Sequence, residues 1–302
     1  MLARLNGEFQ DRDQWFFNVW QPDTVTLPET GQAIPFHLAD EALLASDPAC
    51  WVLKPNAAWH GFGDIEDGYC LLDPIKVSIT TPGILPGGAM SELGIPAQVV
   101  TAYLDRQGIV VEKTTDFTIL VLFSIGVTKG KWGTLVNALL DFKRHYDVNA
   151  PLDQVLPGLL AAHPQRYRGM GLRDLCESMF VAMTELRTTE TMSRAFSTLP
   201  VPDLSPVMAY EQLVRGNVES VPLDQLAGRT VATGVVPYPP GIPLLMPGEN
   251  AGAADGPLLG YLKALEDYDR RFPGFTHDTH GVEVDEGRYR VRCITSGTQA
   301  AS

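Results

Sequence analysis

Four prolines fall within seven residues at Pro237-Tyr238-Pro239-Pro240-Gly241-Ile242-Pro243. Proline fixes its own φ, has no N–H to donate and restricts the residue before it. The run is therefore expected to form neither helix nor paired strand, and to act as a stiff extended connector. Regular structure must lie on either side. Upstream, Thr230 to Val236 predicts a strand interrupted by Gly234. Downstream, Asp255 with Pro257 opens a helix through Tyr268, and Tyr289-Arg290-Val291-Arg292-Cys293 alternates as a final strand. The tail from Ser296 is expected to fray.

The first half of the chain alternates between the two periodicities. Trp20 to Trp51 is rich in Pro, Thr, Asp and Ala, which predicts a long excursion with a short helical piece at Leu38 to Ala45. Ile75, Val77 and Ile79 have the period of a strand, which Thr81-Pro82-Gly83 ends. Pro96 followed by Val99, Val100, Tyr103 and Leu104 predicts a helix. Ile109 to Val111 and Thr118 to Ser124 predict two more strands, the second apolar enough to be central. Trp132 to Lys143 predicts a helix whose basic end, Lys143-Arg144-His145, suits its dipole. The order strand, helix, strand, strand, helix predicts an α+β unit with a mostly antiparallel sheet. A polar, proline-containing stretch at Asp147 to Pro157 suggests a boundary near residue 150. Beyond it, Leu172, Leu175, Met179, Met183 and Leu186 recur at helical spacing, and Ser205-Pro206 caps a helix through Leu213.

Composition removes several function classes. With 23 Lys and Arg against 36 Asp and Glu, the net charge of −13 repels phosphate backbones and anionic lipid. Nucleic acid is not an expected partner. The longest nearly apolar run, Ile119 to Val127, falls far short of the roughly 18 residues a membrane span needs, so no membrane partner is expected. The N-terminus has no apolar stretch that serves as a secretory signal, so a cytoplasmic protein is expected. Cys50, Cys70, Cys176 and Cys293 form no C-x-x-C and are expected to be buried thiols.

Signature motifs for phosphate loops, nucleophile elbows and zinc helices are absent. His277-Asp278-Thr279-His280, with Glu283 and Asp285, offers ligand types suited to a metal, but the spacing matches no closed site and favours turn hydrogen bonding. Metal is not expected. Trp59-His60-Gly61-Phe62 places an imidazole between two aromatics on a glycine turn, either as an acid or base or as a structural histidine. Glu112 and Asp116 flank a short segment in which two carboxylates can meet at the mouth of one hairpin. Paired carboxylates bind ammonium or guanidinium groups well, and a solvated Glu112-Lys113 pair is the alternative.

The run from Trp59-His60-Gly61-Phe62 through Leu72-Asp73-Pro74-Ile75-Lys76-Val77 and Thr81-Pro82-Gly83 to Gly94-Ile95-Pro96-Ala97 resembles the bacterial Orn/Lys/Arg decarboxylases. Gly108 to Thr114, Leu122 to Gly126 and the proline segment from Pro237 to Pro247 extend the resemblance along nearly the whole chain. Thr114 to Phe117, Gly130 to Asn137 and Phe142 to Asp147 are most similar to the biodegradative type of arginine decarboxylase. Glu112-Lys113-Thr114 is more similar to the lysine decarboxylases.

The resemblance implies a small aminotransferase-type domain at 1–150, followed by the family's C-terminal α+β domain at 151–302. It also implies pyridoxal 5'-phosphate, which members carry on the lysine of a Ser-x-His-Lys motif. No histidine here is followed by lysine. The chain is then expected to be the C-terminal part of such an enzyme, inactive alone, with Met1 to Phe9 continuing a helix from the cofactor domain. The implied reaction converts arginine to agmatine, or lysine to cadaverine, with release of CO2 and consumption of a proton. Glu112 matches the position that meets the distal cation of the basic amino-acid substrate, with Asp116 second. Family members assemble as homodimers and, on acidification, as larger rings. The alternative is a non-catalytic module that docks on a separately encoded cofactor domain.

Overall fold

The computed structural model describes residues 5–7, 15–85 and 89–295, with Lys129 described by its backbone only. Of the helix expected over Met1 to Phe9, only helical Leu5 to Gly7 is described, and the tail from Ser296 lies outside the described residues. The chain divides into two compact units, 1–180 and 181–302. The polar stretch near 150 is not a linker between them. Ala150 O accepts from Leu172 N at 2.9 Å, Asn149 Oδ1 accepts from Arg173 N at 2.9 Å, and Pro151 bridges Gly171. Asn149 adopts φ 49° in this turn, a left-handed conformation that asparagine tolerates better than most residues. The residues that follow 150 therefore stay with the first unit.

In the first unit, β1 (Asn18–Val19) is followed by a hairpin of β2 (Thr24–Thr26) and β3 (Ala33–Pro35), then α1 (Glu41–Ser46). The hairpin lies inside the excursion, where the sequence predicts only a helical piece; three-residue strands are too short to show a period. Asp40 caps α1 by accepting from Ala42 N at 2.7 Å. The main sheet adds β4 (Lys76–Thr80), β5 (Lys113–Thr114) and β6 (Thr118–Leu122) in the order β1-β4-β6-β5, with every pairing antiparallel. β6 is thus an inner strand, as expected, and its alternate residues Ile119 and Val121 are buried.

α2 (Ala97–Arg106) buries Val99, Val100, Tyr103 and Leu104, the stripe read from the sequence. Its end explains one misplaced strand. Gly108 takes φ 74°, Gly108 N bonds Asp105 O at 2.8 Å and Ile109 N bonds Leu104 O at 3.0 Å, a glycine-terminated cap. Ile109 to Val111 is spent leaving the helix, and the strand starts only at Lys113. α3 (Lys129–Asp147) is longer than expected because Thr128 caps it, accepting from Lys131 N at 3.4 Å. Tyr103 of α2 meets Phe142 of α3 edge to face at 5.5 Å. Three short helices, α4 (Leu152–Val155), α5 (Pro157–Ala162) and α6 (Pro164–Tyr167), lead to α7 (Leu172–Glu185), inside which the division between units falls.

The second unit contains α8 (Thr188–Phe196), α9 (Pro206–Val214), β7 (Val218–Pro222), β8 (Val236–Tyr238), α10 (Pro257–Arg271), β9 (Asp278–His280), β10 (Val282–Asp285) and β11 (Arg288–Ile294). Ser205 caps α9 as expected, whereas Gly256, not Asp255, is the N-cap of α10. A three-stranded antiparallel sheet runs β10-β11-β7. The proline segment departs from expectation: Val236, Pro237 and Tyr238 pair with His280, Thr279 and Asp278. Pro237 lacks an N–H, yet a two-stranded ribbon leaves one side of each strand without a ladder, so the missing donor is tolerated there. Beyond Tyr238, the bonds to Pro239 and Pro240 are cis, and the pairing stops.

The core of this unit is aliphatic, with Leu226, Val231, Leu245, Leu262 and Val291 fully buried. Two buried carboxylates on α10 fasten it. Glu266 accepts from Tyr289 N at 2.6 Å and from Arg288 Nη1 at 3.0 Å. Asp269 accepts from the Tyr289 hydroxyl and lies 2.6 Å from His277 Nδ1. Among the cysteines, Cys50, Cys176 and Cys293 are buried as expected, while Cys70 is half-buried.

Two packing predictions follow from these contacts. A methyl at buried Gly94 would lie 1.8 Å from the Phe180 ring. Gly94→Ala is expected to cost about 1–3 kcal/mol in urea unfolding, and distinctly less in a Phe180→Ala background; equal costs in both would show that the ring is not what the glycine accommodates. Asp269→Ala strands the Tyr289 hydroxyl and His277, and is expected to cost about 3 kcal/mol. A loss under about 0.5 kcal/mol would mean that the carboxylate does not fasten β11 to α10.

Candidate functional site

Three segments converge at the end of β4. Thr81 is buried, its N–H donates to Phe117 O at 2.9 Å and its hydroxyl donates to Ile95 O at 2.6 Å. Ile95 N in turn donates to Pro82 O at 2.8 Å, and Ala97 N donates to Asp116 O at 2.8 Å. The Thr81-Pro82-Gly83 turn, the Gly94 to Ala97 entry into α2 and the β5–β6 turn are thereby locked to one another. Gly83 is required at this corner: its φ is 151°, and a Cβ would lie 2.0 Å from the Phe117 ring.

The two carboxylates read from the sequence sit on the hairpin so fixed. Thr115 N donates to Thr118 O at 2.8 Å and closes its turn, beside which Asp116 is half-buried. Glu112 N donates to Leu120 O at 2.9 Å at the open end, and Glu112 is exposed. Four residues of extended chain separate backbones by up to about 13 Å. The hydrogen bonds thus set Glu112 at the open end of the hairpin and Asp116 beside its turn, with β5 between them. The Thr114 and Thr101 hydroxyls, 2.7 Å apart, tie the strand to α2, so the backbone that carries Glu112 is braced from both sides.

Phe117 and Thr118 also line a cavity of about 1190 Å³, with Thr81, Gly83, Trp20, Trp59 and His60. The Trp59 to Phe62 turn is held by Asn56 N donating to Phe62 O at 2.8 Å and by Trp20 Nε1 donating to Trp59 O at 3.1 Å. His60 Nδ1 accepts from Phe62 N at 2.9 Å, and its ring stacks on Phe62 at 4.9 Å. That hydrogen bond places the neutral ring's proton on Nε2, which is buried and has no partner among the described residues. The imidazole is thus a turn-forming group whose remaining nitrogen is a donor.

Lys143, in the basic end of α3, and Tyr146, in the same Phe142 to Asp147 stretch, also line this cavity, a placement their sequence pattern does not indicate. Lys143 is buried, and its Nζ lies 2.6 Å from both carboxylate oxygens of Asp147. Burial pushes the Tyr146 phenol up to about 12, so it stays protonated near neutral pH. Tested against the cofactor that the resemblance implies, these residues do not fit. Imine formation needs a lysine that can become neutral and reach the cofactor, and Lys143 is committed to Asp147.

The histidines of the second unit are dispersed. His277 turns inward to Asp269, whereas His280 is exposed, with Nε2 3.1 Å from Asp278. Glu283 pairs with Arg292 at 2.6 Å, and that hydrogen bond holds its carboxyl below the usual range. Among the described residues, no group of three His, Cys, Asp or Glu side chains is placed to hold a metal ion, and no helix is long and apolar enough to cross a membrane.

Comparison with known proteins gives this geometry a lineage. Residues 3–131 match the Orn/Lys/Arg decarboxylase major domain, and residues 189–295 match the Orn/Lys/Arg decarboxylase C-terminal domain. The chain is 48% identical over 293 residues to the biodegradative arginine decarboxylase of Escherichia coli K12, covering 97% of this chain and 39% of that protein. It is 48% identical over 288 residues to a lysine decarboxylase of Pseudomonas aeruginosa, covering 94% of this chain and 36% of the relative. The solved structure of lysine decarboxylase A from Pseudomonas aeruginosa superposes with a TM-score of 0.85 at 46% identity, over 97% of this chain and 38% of that one. The constitutive lysine decarboxylase of Escherichia coli superposes at 0.83 with 40% identity, over 97% of this chain and 38% of that structure. The chain thus spans less than two fifths of the length of these relatives. The mixed helix and sheet fold, the two matched domains and the identity along nearly the whole chain agree: the chain belongs to the Orn/Lys/Arg decarboxylase family.

Proposed function

We propose that these 302 residues are the C-terminal part of a pyridoxal-phosphate-dependent decarboxylase of basic amino acids, acting on arginine first and on lysine next. In this reading an aminotransferase-type part precedes the C-terminal domain matched at 189–295, and the enzyme works in the cytoplasm as a homodimer that builds into larger rings. The lysine that holds the cofactor lies outside these residues, so the chain alone is inactive. Each turnover removes the α-carboxylate as CO2, takes up one proton and leaves agmatine or cadaverine. The observation that carries this reading is the 48% identity to an arginine decarboxylase along 97% of the chain.

Glu112 is the residue to which we give the distal cation of the substrate. Its exposure on a braced hairpin supports that role, because a fixed carboxylate binds a cation without first having to be ordered. A guanidinium takes one carboxylate through two parallel N–H groups, whereas an ammonium makes a point contact. Asp116, half-buried beside the hairpin turn, is the second candidate. The apolar surface by the larger cavity also favours an enzyme wall over a free-standing module. Ile84, Leu85 and Leu93 line that cavity and are exposed, as is Phe62 beside it. An apolar rim of this kind is expected to be covered by protein.

In the decarboxylase that contains this chain, Glu112→Gln is expected to raise KM for arginine about 10- to 100-fold, the loss of one charge-assisted contact. Its melting temperature should stay within about 1 °C, since Glu112 is exposed. Steady-state kinetics with both arginine and lysine check this. An unchanged KM for both removes Glu112 from the site, and the same substitution at Asp116 then tests the second candidate.

A further inference from the structure

A second cavity of the first unit, about 610 Å³, is lined by neither Glu112 nor Asp116. Its volume suits a small organic molecule. The excursion between Trp20 and Trp51 builds one side of it, and the segment from Leu71 to Pro74, the start of β4, Phe123 and Trp132 supply most of the rest. Four aromatic side chains, Trp20, Trp51, Phe123 and Trp132, contribute to its wall. Trp51 Nε1 donates to Leu44 O at 2.8 Å and Trp20 Nε1 to Trp59 O at 3.1 Å. Both indoles spend their donors inside the protein and have only ring surface left to offer. Trp132 Nε1 is buried with no acceptor among the described residues.

The charged residues of this cavity have one dominant sign. Glu41, Asp47 and Asp73 face a single cation, Lys76. Asp47 Oδ1 accepts from Ala49 N at 2.9 Å and Asp73 Oδ1 from Ile75 N at 3.1 Å. Each carboxylate is thus anchored through one oxygen, and the other makes no hydrogen bond among the described residues. Aromatic faces attract cations through their quadrupole, and carboxylates make charge-assisted bonds to them. An anion meets repulsion here, and a neutral apolar molecule leaves the carboxylates unused.

We propose that this cavity is a binding site for a small organic monocation with an apolar body: an alkyl- or arylammonium whose hydrocarbon lies among Trp20, Trp51 and Trp132 and whose charged nitrogen meets Asp47 and Asp73. The site goes beyond the decarboxylase reading and does not depend on it.

Isothermal titration of the purified protein tests it with three probes of one shape. N,N-dimethyl-2-phenylethylamine carries the cation and, as a tertiary amine, forms no imine with an aldehyde. The neutral 2-phenylethanol and the anionic phenylacetate are its counterparts. The amine is expected to bind saturably, the alcohol about tenfold or more weakly, and phenylacetate not at all. In the D47N/D73N double variant each asparagine oxygen keeps its turn hydrogen bond while the charge is removed, so the fold is retained. Amine binding should then fall to the level of the alcohol, and Trp132→Ala should weaken both. No saturable amine binding below about 10 mM, equal affinity for amine and alcohol, or full amine binding by D47N/D73N would each overturn the proposal.

Discussion

The hydrogen bonds of one buried threonine organise the first unit. Thr81 joins the end of β4 to the hairpin through its backbone and to the entry of α2 through its hydroxyl. A buried hydroxyl without a partner is costly, so both bonds must form together, and with them the relative placement of three segments far apart in sequence. Gly83 and Phe117 complete the corner sterically. Both hairpin carboxylates and the part of the larger cavity formed by Thr81, Gly83, Phe117 and Thr118 take their positions from this junction. A change there is expected to act on the site even where it touches no ligand.

The second unit rests on a different device. Its helix α10 carries Leu262, Glu266 and Asp269 along one stripe, and all three are buried. Two carboxylates in an apolar face are tolerated only because every oxygen has a donor. Their partners all come from 277 to 289, so the network fixes the end of the chain onto the helix. Aliphatic packing supplies the bulk of the driving force, and the carboxylates fasten His277, Arg288 and Tyr289 to α10.

Much of the fold is legible from periodicity, and the failures have physical causes. α2, β4, β6, α7 and β11 stand where alternating or helical apolar residues put them. The β2–β3 hairpin is too short to show a period. Ile109 to Val111 reads as a strand by composition, but the glycine cap at Gly108 uses those residues to leave α2. Pro237 enters a ladder because a two-stranded ribbon leaves one side of each strand free. The turn at Asn149 imitates a linker in composition while its side chain accepts from Arg173 N and Asp174 N at the start of α7. Of the site, the motifs are legible and their convergence is not. Nothing in the spacing of Thr81, Ile95 and Phe117 says that they meet, and Lys143 and Tyr146 gave no signal beyond their place in an amphipathic helix. Glu266 and Asp269 did carry one, as acidic residues at core positions of α10.

A braced hairpin and an apolar cavity rim stand together in a chain of the Orn/Lys/Arg decarboxylase family, and the proposed reading puts the cofactor's lysine outside these residues. The most direct test of that reading is a decarboxylation assay on the 302-residue polypeptide by itself, supplied with pyridoxal phosphate and with arginine or lysine, with released CO2 as the readout. The account predicts no release above the protein-free control and no cofactor absorbance that survives dialysis. Release of CO2 from either amino acid, with a retained cofactor band, would contradict it and place the whole catalytic apparatus within this chain.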